Sequence, residues 1–271
     1  MLHNLAQLLR YRGLIQSLVA RELKARYRGS ALGFFWSFIN PLLLLTVYTF
    51  VFKWVLYDAQ RPKETEPYAL FLFCGLLPWT WFSSSLVESS NVLIAGGNLI
   101  KKVLFPAEVL PIVTVLANLV HFCFGLPILA IFLICFQRPL SLSELAWFPV
   151  VLLVQLTLTL GLSFILSALT VHFRDIKDIL GNLLTFWFFA SPIIYPMPDA
   201  SFSTERAHKA IALLNLNPFT HLAISYQEIL FYPGPFGHWQ WLLLLWVVSI
   251  GVFLGGYWIF DRLRDSFAEE V

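Results

Sequence analysis

The sequence predicts an all-α, polytopic membrane protein. It should carry six transmembrane helices, an N-terminal amphipathic interface helix and short re-entrant helices on the outer side. Three observations carry this. Hydrophobic residues make up 58% of the 271 residues, charged residues only 13%, and mean hydropathy is +0.74; a soluble domain carries about 25% charge. Several apolar runs are long enough to cross a bilayer core of about 30 Å as helices. The cations also gather in the segments between alternate runs. Helices satisfy their own backbone, so apolar runs of this length can lie in lipid.

The boundary at Gly29 organises the rest. Arg12, Arg21, Lys24, Arg26 and Arg28 precede it, and no charge follows from Gly29 to Phe52. Those 24 residues give about 36 Å of helix. Cations stay on the cytoplasmic side, so the N-terminus is inside. Three segments follow: residues 1–32 as a cytoplasmic N-terminal segment, 33–260 as the membrane domain, and 261–271 as a short, charged cytoplasmic tail. The N-terminal region is too long and too charged for a cleavable signal.

Within residues 2–28, Leu14, Ile15, Leu18, Val19 and Leu23 recur at helical spacing. Gln16, Arg21, Glu22 and Lys24 take the other positions, and Glu22 and Arg26 form an i,i+4 pair. Such a helix is either a surface anchor alone or also a lever on a cytoplasmic partner. The first span, about 33–56, carries Phe34, Phe38, Pro41, Leu45, Tyr48 and Phe52 as one stripe. Lys53 can snorkel outward, and 57–67 is a solvated outer loop. The second span, about 68–93, is kinked by Pro78 and crowded by Trp79, Trp81 and Phe82. Glu88 near its inner end faces protein within the span or sits at the interface.

Residues 94–108 return to the cytoplasm. Gly96-Gly97 breaks the helix, Asn98 can cap a new one, and Pro106 turns into the next span. The short amphipathic helix between them is a ball for a partner's socket or a plain reversal loop. The third span, about 109–136, holds Pro111, Pro127 and a lone His121, either a hydrogen-bonded packing residue or a proton carrier. After a short outer loop, the fourth span, about 146–171, offers Gly161, Ser163, Ser167 and Ala168 for close helix contact. A charged inner turn, 172–178, leads to the fifth span, about 179–196. It carries Phe186-Trp187-Phe188-Phe189 and is broken by the prolines of Ser191–Pro198. In 197–238, Ala210–Asn215 and His221–Phe231 suit two short helices dipping into the outer leaflet. The sixth span, about 239–260, opens on Trp239 and Trp241 and closes on Tyr257 and Trp258 as interfacial belts. This topology puts two thirds of the 18 Lys and Arg residues, and both termini, inside.

The chemistry is mostly that of absence. The sequence holds no Gly-x-x-x-x-Gly-Lys-Ser/Thr loop, no metal-ligand spacing and no Gly-x-Ser-x-Gly elbow. No catalytic, cofactor or metal residue is therefore assigned, and the chain is not an enzyme by itself. Cys74, Cys123 and Cys135 lie in apolar runs and suit packing better than a disulfide. Span interiors hold almost no ionisable groups beyond His121 and Glu88, which disfavours an ion-coupled carrier. Energy then comes from another subunit. Aromatic residues reach 17%, and ring faces let a long glycan slide without directional penalty. Phe34, Phe38, Tyr48, Phe52, Trp187, Phe188 and Tyr195 are the candidates for such a path, though aromatics also fill membrane cores and belts.

A resemblance sharpens this. Arg21-Glu-Leu-Lys-x-Arg26-Tyr27-Arg28-Gly-Ser30-x-Leu32-Gly33-x-x-Trp36 with Pro41-Leu42 resembles the entry to the membrane subunits of type-2 ABC exporters for bacterial surface polysaccharides, the O-antigen, capsule and teichoic-acid permeases. Leu76-Leu77-Pro78-Trp79, Asn98-Leu-Ile-x-Lys102-Val-x-Phe105-Pro106, Phe173-Arg174-Asp175-Ile176 and Ser191-Pro192-Ile193-x-Tyr195 continue the likeness along the chain. The resemblance implies a homodimer in the cytoplasmic (inner) membrane, with the channel between the first and fifth spans of two copies. It implies two separate nucleotide-binding ATPase subunits, which hold ATP and Mg; no cofactor is expected in this chain. It also implies an interface helix at about 14–28, a coupling helix at about 98–105 and outer gate helices within 197–238. Asn98, Leu99, Lys101, Lys102, Phe105 and Pro106 would then meet the ATPase. Arg21, Lys24, Arg26, Tyr27 and Arg28 would stand at the cytoplasmic entry, where cations can meet the pyrophosphate of a lipid-linked polysaccharide or simply anchor the chain. Membrane lipids are the other partner, and nucleic acid is not. An exporter of capsule, teichoic acid, a drug or a small lipid is the alternative within the class. A membrane enzyme such as a glycan acyltransferase is the alternative outside it, and would need a mid-depth His or acid with a partner.

Overall fold

The computed structural model describes residues 11–30, 32–51, 65–102, 105–138, 141–197 and 205–270, with the side chains of residues 34, 102, 205–208, 210 and 268 outside that description. Every regular element among them is helical: α1 (Arg12–Arg26), α2 (Trp36–Thr49), α3 (Tyr68–Ala95), α4 (Gly97–Lys102), α5 (Val109–Cys135), α6 (Leu142–Leu145), α7 (Phe148–His172), α8 (Ile176–Phe189), α9 (Glu205–Asn215), α10 (Pro218–Leu230), α11 (Trp239–Leu263) and α12 (Phe267–Glu270). Two 3-10 turns, Gly33–Phe35 and Arg264–Ser266, precede α2 and α12.

Four stretches of the described chain are long and apolar enough to cross a membrane: Tyr68–Ala95, Val109–Cys135, Leu142–His172 and Trp239–Ser266. They match the second, third, fourth and sixth expected spans. The helices at the first and fifth expected spans are shorter. α2 and α8 have 14 residues each, about 21 Å against a core of about 30 Å. α2 starts late because Gly29 and Gly33 hold left-handed φ values of +80° and +50°, which a right-handed helix cannot run through. Its far end meets the limit of the described residues, so Phe52, Lys53 and the loop through residue 64 lie outside them. α8 starts three residues earlier than expected and stops at Phe189 rather than near 196. Pro192 closes that end, as the proline cluster implied.

α3 is the centre. Of its membrane-crossing window 78% is buried, against 28% for the last span. A helix apolar on every side belongs inside protein, and α3 touches α2, α5, α7, α8 and α10. Polar side chains on it turn back to the backbone: Ser83 donates to the Trp79 carbonyl at 2.9 Å and Ser85 to Trp81 at 2.7 Å. At the Pro78 position, the amide of Gln155 on α7 donates to the Pro78 carbonyl at 2.9 Å.

α7 and α11 make the closest helix crossing. A Cβ added at Gly161 would lie 2.7 Å from the Phe253 backbone, and one at Gly256 would lie 2.3 Å from the Gly161 carbonyl oxygen. Ser163, Ser167 and Ala168 on the same helix are fully buried. The small-residue face expected of the fourth span is thus in use.

Two short helices follow α8 before the last long helix. α9 begins at Glu205, earlier than the periodicity indicated, and α10 begins at Pro218. Asn217 caps α10 and does more: its Oδ1 accepts from Phe219 N at 2.9 Å and from the Trp187 indole at 2.5 Å. Its Nδ2 donates to the Ala190 carbonyl at 2.9 Å and to Ser191 Oγ at 2.8 Å. One side chain therefore ties α8 to α10. Of the cysteines, Cys74 packs in the core, while Cys123 and Cys135 are exposed thiols.

Gly256→Leu should break the α7–α11 contact, since backbone atoms cannot yield to a side chain. Overpacking of this kind costs about 1–3 kcal/mol. Thermal unfolding of the detergent-solubilised chain should fall clearly for Gly256→Leu and little for Gly251→Leu, where an added Cβ has open space.

Candidate functional site

Two spaces open beside α3. The larger, about 680 Å³, is lined on one side by Arg26, Tyr27, Trp36, Ser37, Asn40 and Pro41, and on the other by Thr80, Trp81, Ser84, Asn118, His121 and Phe122. The smaller, about 470 Å³, runs between α2, α3 and α8 and is lined by Tyr48, Trp79, Thr80, Ser84, Glu88, Thr185, Phe188 and Phe189 among others. Thr80 and Ser84 belong to both, so a ridge of small polar side chains separates a larger, polar-walled space from an aromatic one.

A charged lock joins the two spaces, with Arg26 and Asn118 lining the larger and Glu88 the smaller. Arg26 at the end of α1 places Nη2 2.6 Å from Glu88 Oε2 on α3 and donates from Nη1 to Asn118 Oδ1 on α5 at 3.1 Å. Asn118 Nδ2 donates to the same Glu88 oxygen at 2.7 Å and to the Thr114 carbonyl at 3.0 Å. Three helices meet on one carboxylate. The spacing of α1 had paired Arg26 with Glu22. The guanidinium turns inward instead, because Glu88 lies at apolar depth and needs a partner more than an exposed glutamate does. The adjacent Tyr27 hydroxyl sits 2.5 Å from Ser37 Oγ and 3.0 Å from His121 Nδ1. His121 is thus a hydrogen-bonded residue at the wall of the cavity. The apolar face of α1 is also occupied: Leu18, with Leu14, Ile15 and Val19, packs on Val109 and Val113 of α5.

The remaining entry cations lie apart. Arg21, Lys24 and Arg28 are exposed and, with Ser17, Ala20 and Ala25, line an open trough on α1. The aromatic candidates divide. Tyr48 and Phe188 stand 5.5 Å apart, ring to ring, in the smaller space. Phe38 packs 6.0 Å from Phe124. Trp187 points into a knot with Trp79 and Phe82 and is held by Asn217. Tyr195 donates its hydroxyl to the Phe189 carbonyl at 3.0 Å. Phe52 and the side chain of Phe34 lie outside the described residues. On the reversal segment, α4 covers Gly97–Lys102, shorter than 98–105, with Val103 and Leu104 outside the description. Its first turn hangs from the Gly96 carbonyl, which accepts from Leu99 N at 2.8 Å, so Asn98 lies within the helix rather than capping it. Asn98 and Lys101 are exposed, while Leu99, Ile100, Phe105 and Pro106 are half-buried.

Asn118, Ser37 and Asn217 were missed from sequence. Each is a single polar residue in an apolar run, and that signal alone could have marked them. Among the described residues, no group of three or more His, Cys, Asp or Glu is placed to hold a metal.

Removing one partner of the lock leaves the other stranded. The pair is half-buried, with side chains 25% and 37% exposed, so the cost should fall between that of a surface pair and of a buried one, about 1–3 kcal/mol. Arg26→Ala and Glu88→Ala should each lower unfolding stability by that amount, and the double variant by less than the sum. Additive losses in a denaturation series would show that no lock exists.

The comparisons with known proteins agree with this architecture. Residues 13–231 match the family model described as ABC-2 type transporter. Over 273 aligned residues, all of both chains, the sequence is 41% identical to a Myxococcus xanthus protein named O-antigen export system permease protein RfbA. Two Klebsiella pneumoniae proteins of the same name are 33% and 32% identical over 256 residues, 94% of each chain. With four apolar helices packed about a polar-lipped cavity and a family match across most of its length, the chain belongs to the ABC-2 type transporter family.

Proposed function

We propose that this chain is the channel-forming permease subunit of an ATP-driven exporter that moves a lipid-linked, O-antigen-like polysaccharide outward across the cytoplasmic membrane. The full-length similarity to proteins named for O-antigen export carries the proposal. The geometry supports it. The α2–α8 groove presents Tyr48, Phe188 and Phe189 over a polar ridge, a surface on which sugar faces can step. The same two helices expose Leu43, Val47 and Phe50, and Ile179, Leu183 and Phe186. These unpartnered apolar faces suit a second copy, which would close the groove into a channel, with α2 and α8 completing six spans as a homodimer.

Energy enters at the other end. α4 presents Asn98 and Lys101 outward on the side that bears the cationic trough of Arg21, Lys24 and Arg28. By the positive-inside rule this side is cytoplasmic, with both termini there. A separate ATPase subunit, holding ATP and Mg, would dock on α4. The trough would gather the anionic headgroup of the substrate before the Arg26–Glu88 lock opens.

The tagged chain purified from native membranes is expected to bring down a nucleotide-hydrolysing subunit. Loss of the chain should leave finished polysaccharide inside the cell. Tyr48→Ala combined with Phe189→Ala, the exposed ring of the groove, should slow export about tenfold, the equivalent of about 1.4 kcal/mol of lost ring contact, with the assembly intact. A chain that purifies alone, in cells whose surface polysaccharide does not depend on it, would sink the proposal.

A further inference from the structure

The last residues read as a charged tail, yet Phe267 has no exposed surface at all. After α11 ends at Leu263, the 3-10 turn over Arg264–Ser266 leads into α12, which lies against α4 and the end of α7. The turn is fastened at two points. Ser266 Oγ donates to the Leu263 carbonyl at 2.7 Å and lies 3.3 Å from His172 Nε2 at the end of α7. The Phe267 ring then sits 5.1 Å from Phe260 on α11, and Phe260 sits 5.3 Å from Phe164 on α7. Ile100 of α4 packs against this same cluster. The root of α4 is equally tight: a Cβ at Gly96 would come within 2.7 Å of Leu110 Cδ1.

A helix of six residues cannot hold its own orientation, since its stability comes almost wholly from what it packs on. α4 therefore takes its position from the cluster behind it. We propose that Phe267 is a positioning residue for energy coupling, a strut that carries displacement of α4 into the membrane helices. The proposal rests on α4 being the element the ATPase moves. A push on α4 drives Ile100 toward Phe267. The column Phe267–Phe260–Phe164 passes it to α11 and α7, which touch backbone to backbone at Gly161 and Gly256. A close-packed interior transmits strain because it has no slack. Without the ring, the column has a gap, and the motion is absorbed there.

The test uses the full chain with its ATPase in proteoliposomes, reading export of polysaccharide per ATP hydrolysed. Phe267→Ala should keep the ATPase bound and hydrolysing, while export per ATP falls at least about fivefold, the lower end of ordinary coupling between sites. Phe267→Leu should restore most of it, and Glu269→Ala, at an exposed position of α12, should change nothing. Unchanged export per ATP in Phe267→Ala would overturn the strut. So would a fall explained wholly by loss of the ATPase from the complex. Should the alanine variant fail to fold, Phe267→Val, which leaves a smaller gap in the column, carries the test, and a wild-type ratio in it would overturn the strut. If the wild-type chain binds no ATPase, it is the exporter reading that has failed, not the strut alone.

Discussion

At membrane depth a polar atom has no water to turn to, and this one constraint accounts for most of how the chain is joined. Amides and carboxylates in apolar helices must find partners across the fold. Asn118 and Glu88 draw in Arg26 and so fix α1 to α3 and α5. Gln155 reaches Pro78 and fixes α7 to α3. Gln227 reaches the Pro192 carbonyl at 2.9 Å and Asn217 binds four groups, so α10 is fixed to the break after α8. Apolar packing alone would leave these helices free to choose among similar arrangements, since lipid tails are as apolar as leucine. The sparse polar contacts select one.

The same contacts shape the candidate path. Arg26, Asn118 and the Tyr27–Ser37–His121 bonds give the larger cavity a polar wall. In the aromatic groove beside it, Glu88 is the one charged side chain among the lining residues, and Arg26 already holds it.

Much of this was legible in the sequence. Run length and cation placement marked the four long helices, and Gly161 with its small neighbours marked the contact face of α7, though not that α11 would fill it. Gly96-Gly97 and Pro106 bracketed α4. What escaped was pairing over long separation. Helical spacing offered Glu22 to Arg26, but the energetic need lay with Glu88, 62 residues away. The late start of α2 escaped as well, because hydropathy does not register a left-handed glycine. Phe267 escaped because one aromatic among charges carries no period. The division of the aromatics also waited for the structure. Phe186, Trp187, Phe188 and Phe189 look alike in sequence, yet Trp187 is turned inward by an indole hydrogen bond to Asn217, a residue 30 positions on.

The Gly161–Gly256 crossing limits how the molecule can work as a machine. Two helices touching through side chains can slide, because rotamers adjust. These two touch through bare backbone. Slipping by one turn, about 5.4 Å, would carry Val252 or Phe260 to the place where Gly256 leaves room for the Gly161 carbonyl oxygen. The α7–α11 pair is therefore a weld rather than a bearing. Any stroke that opens a passage must leave this pair moving as one body, and must be taken up by the helices that border it.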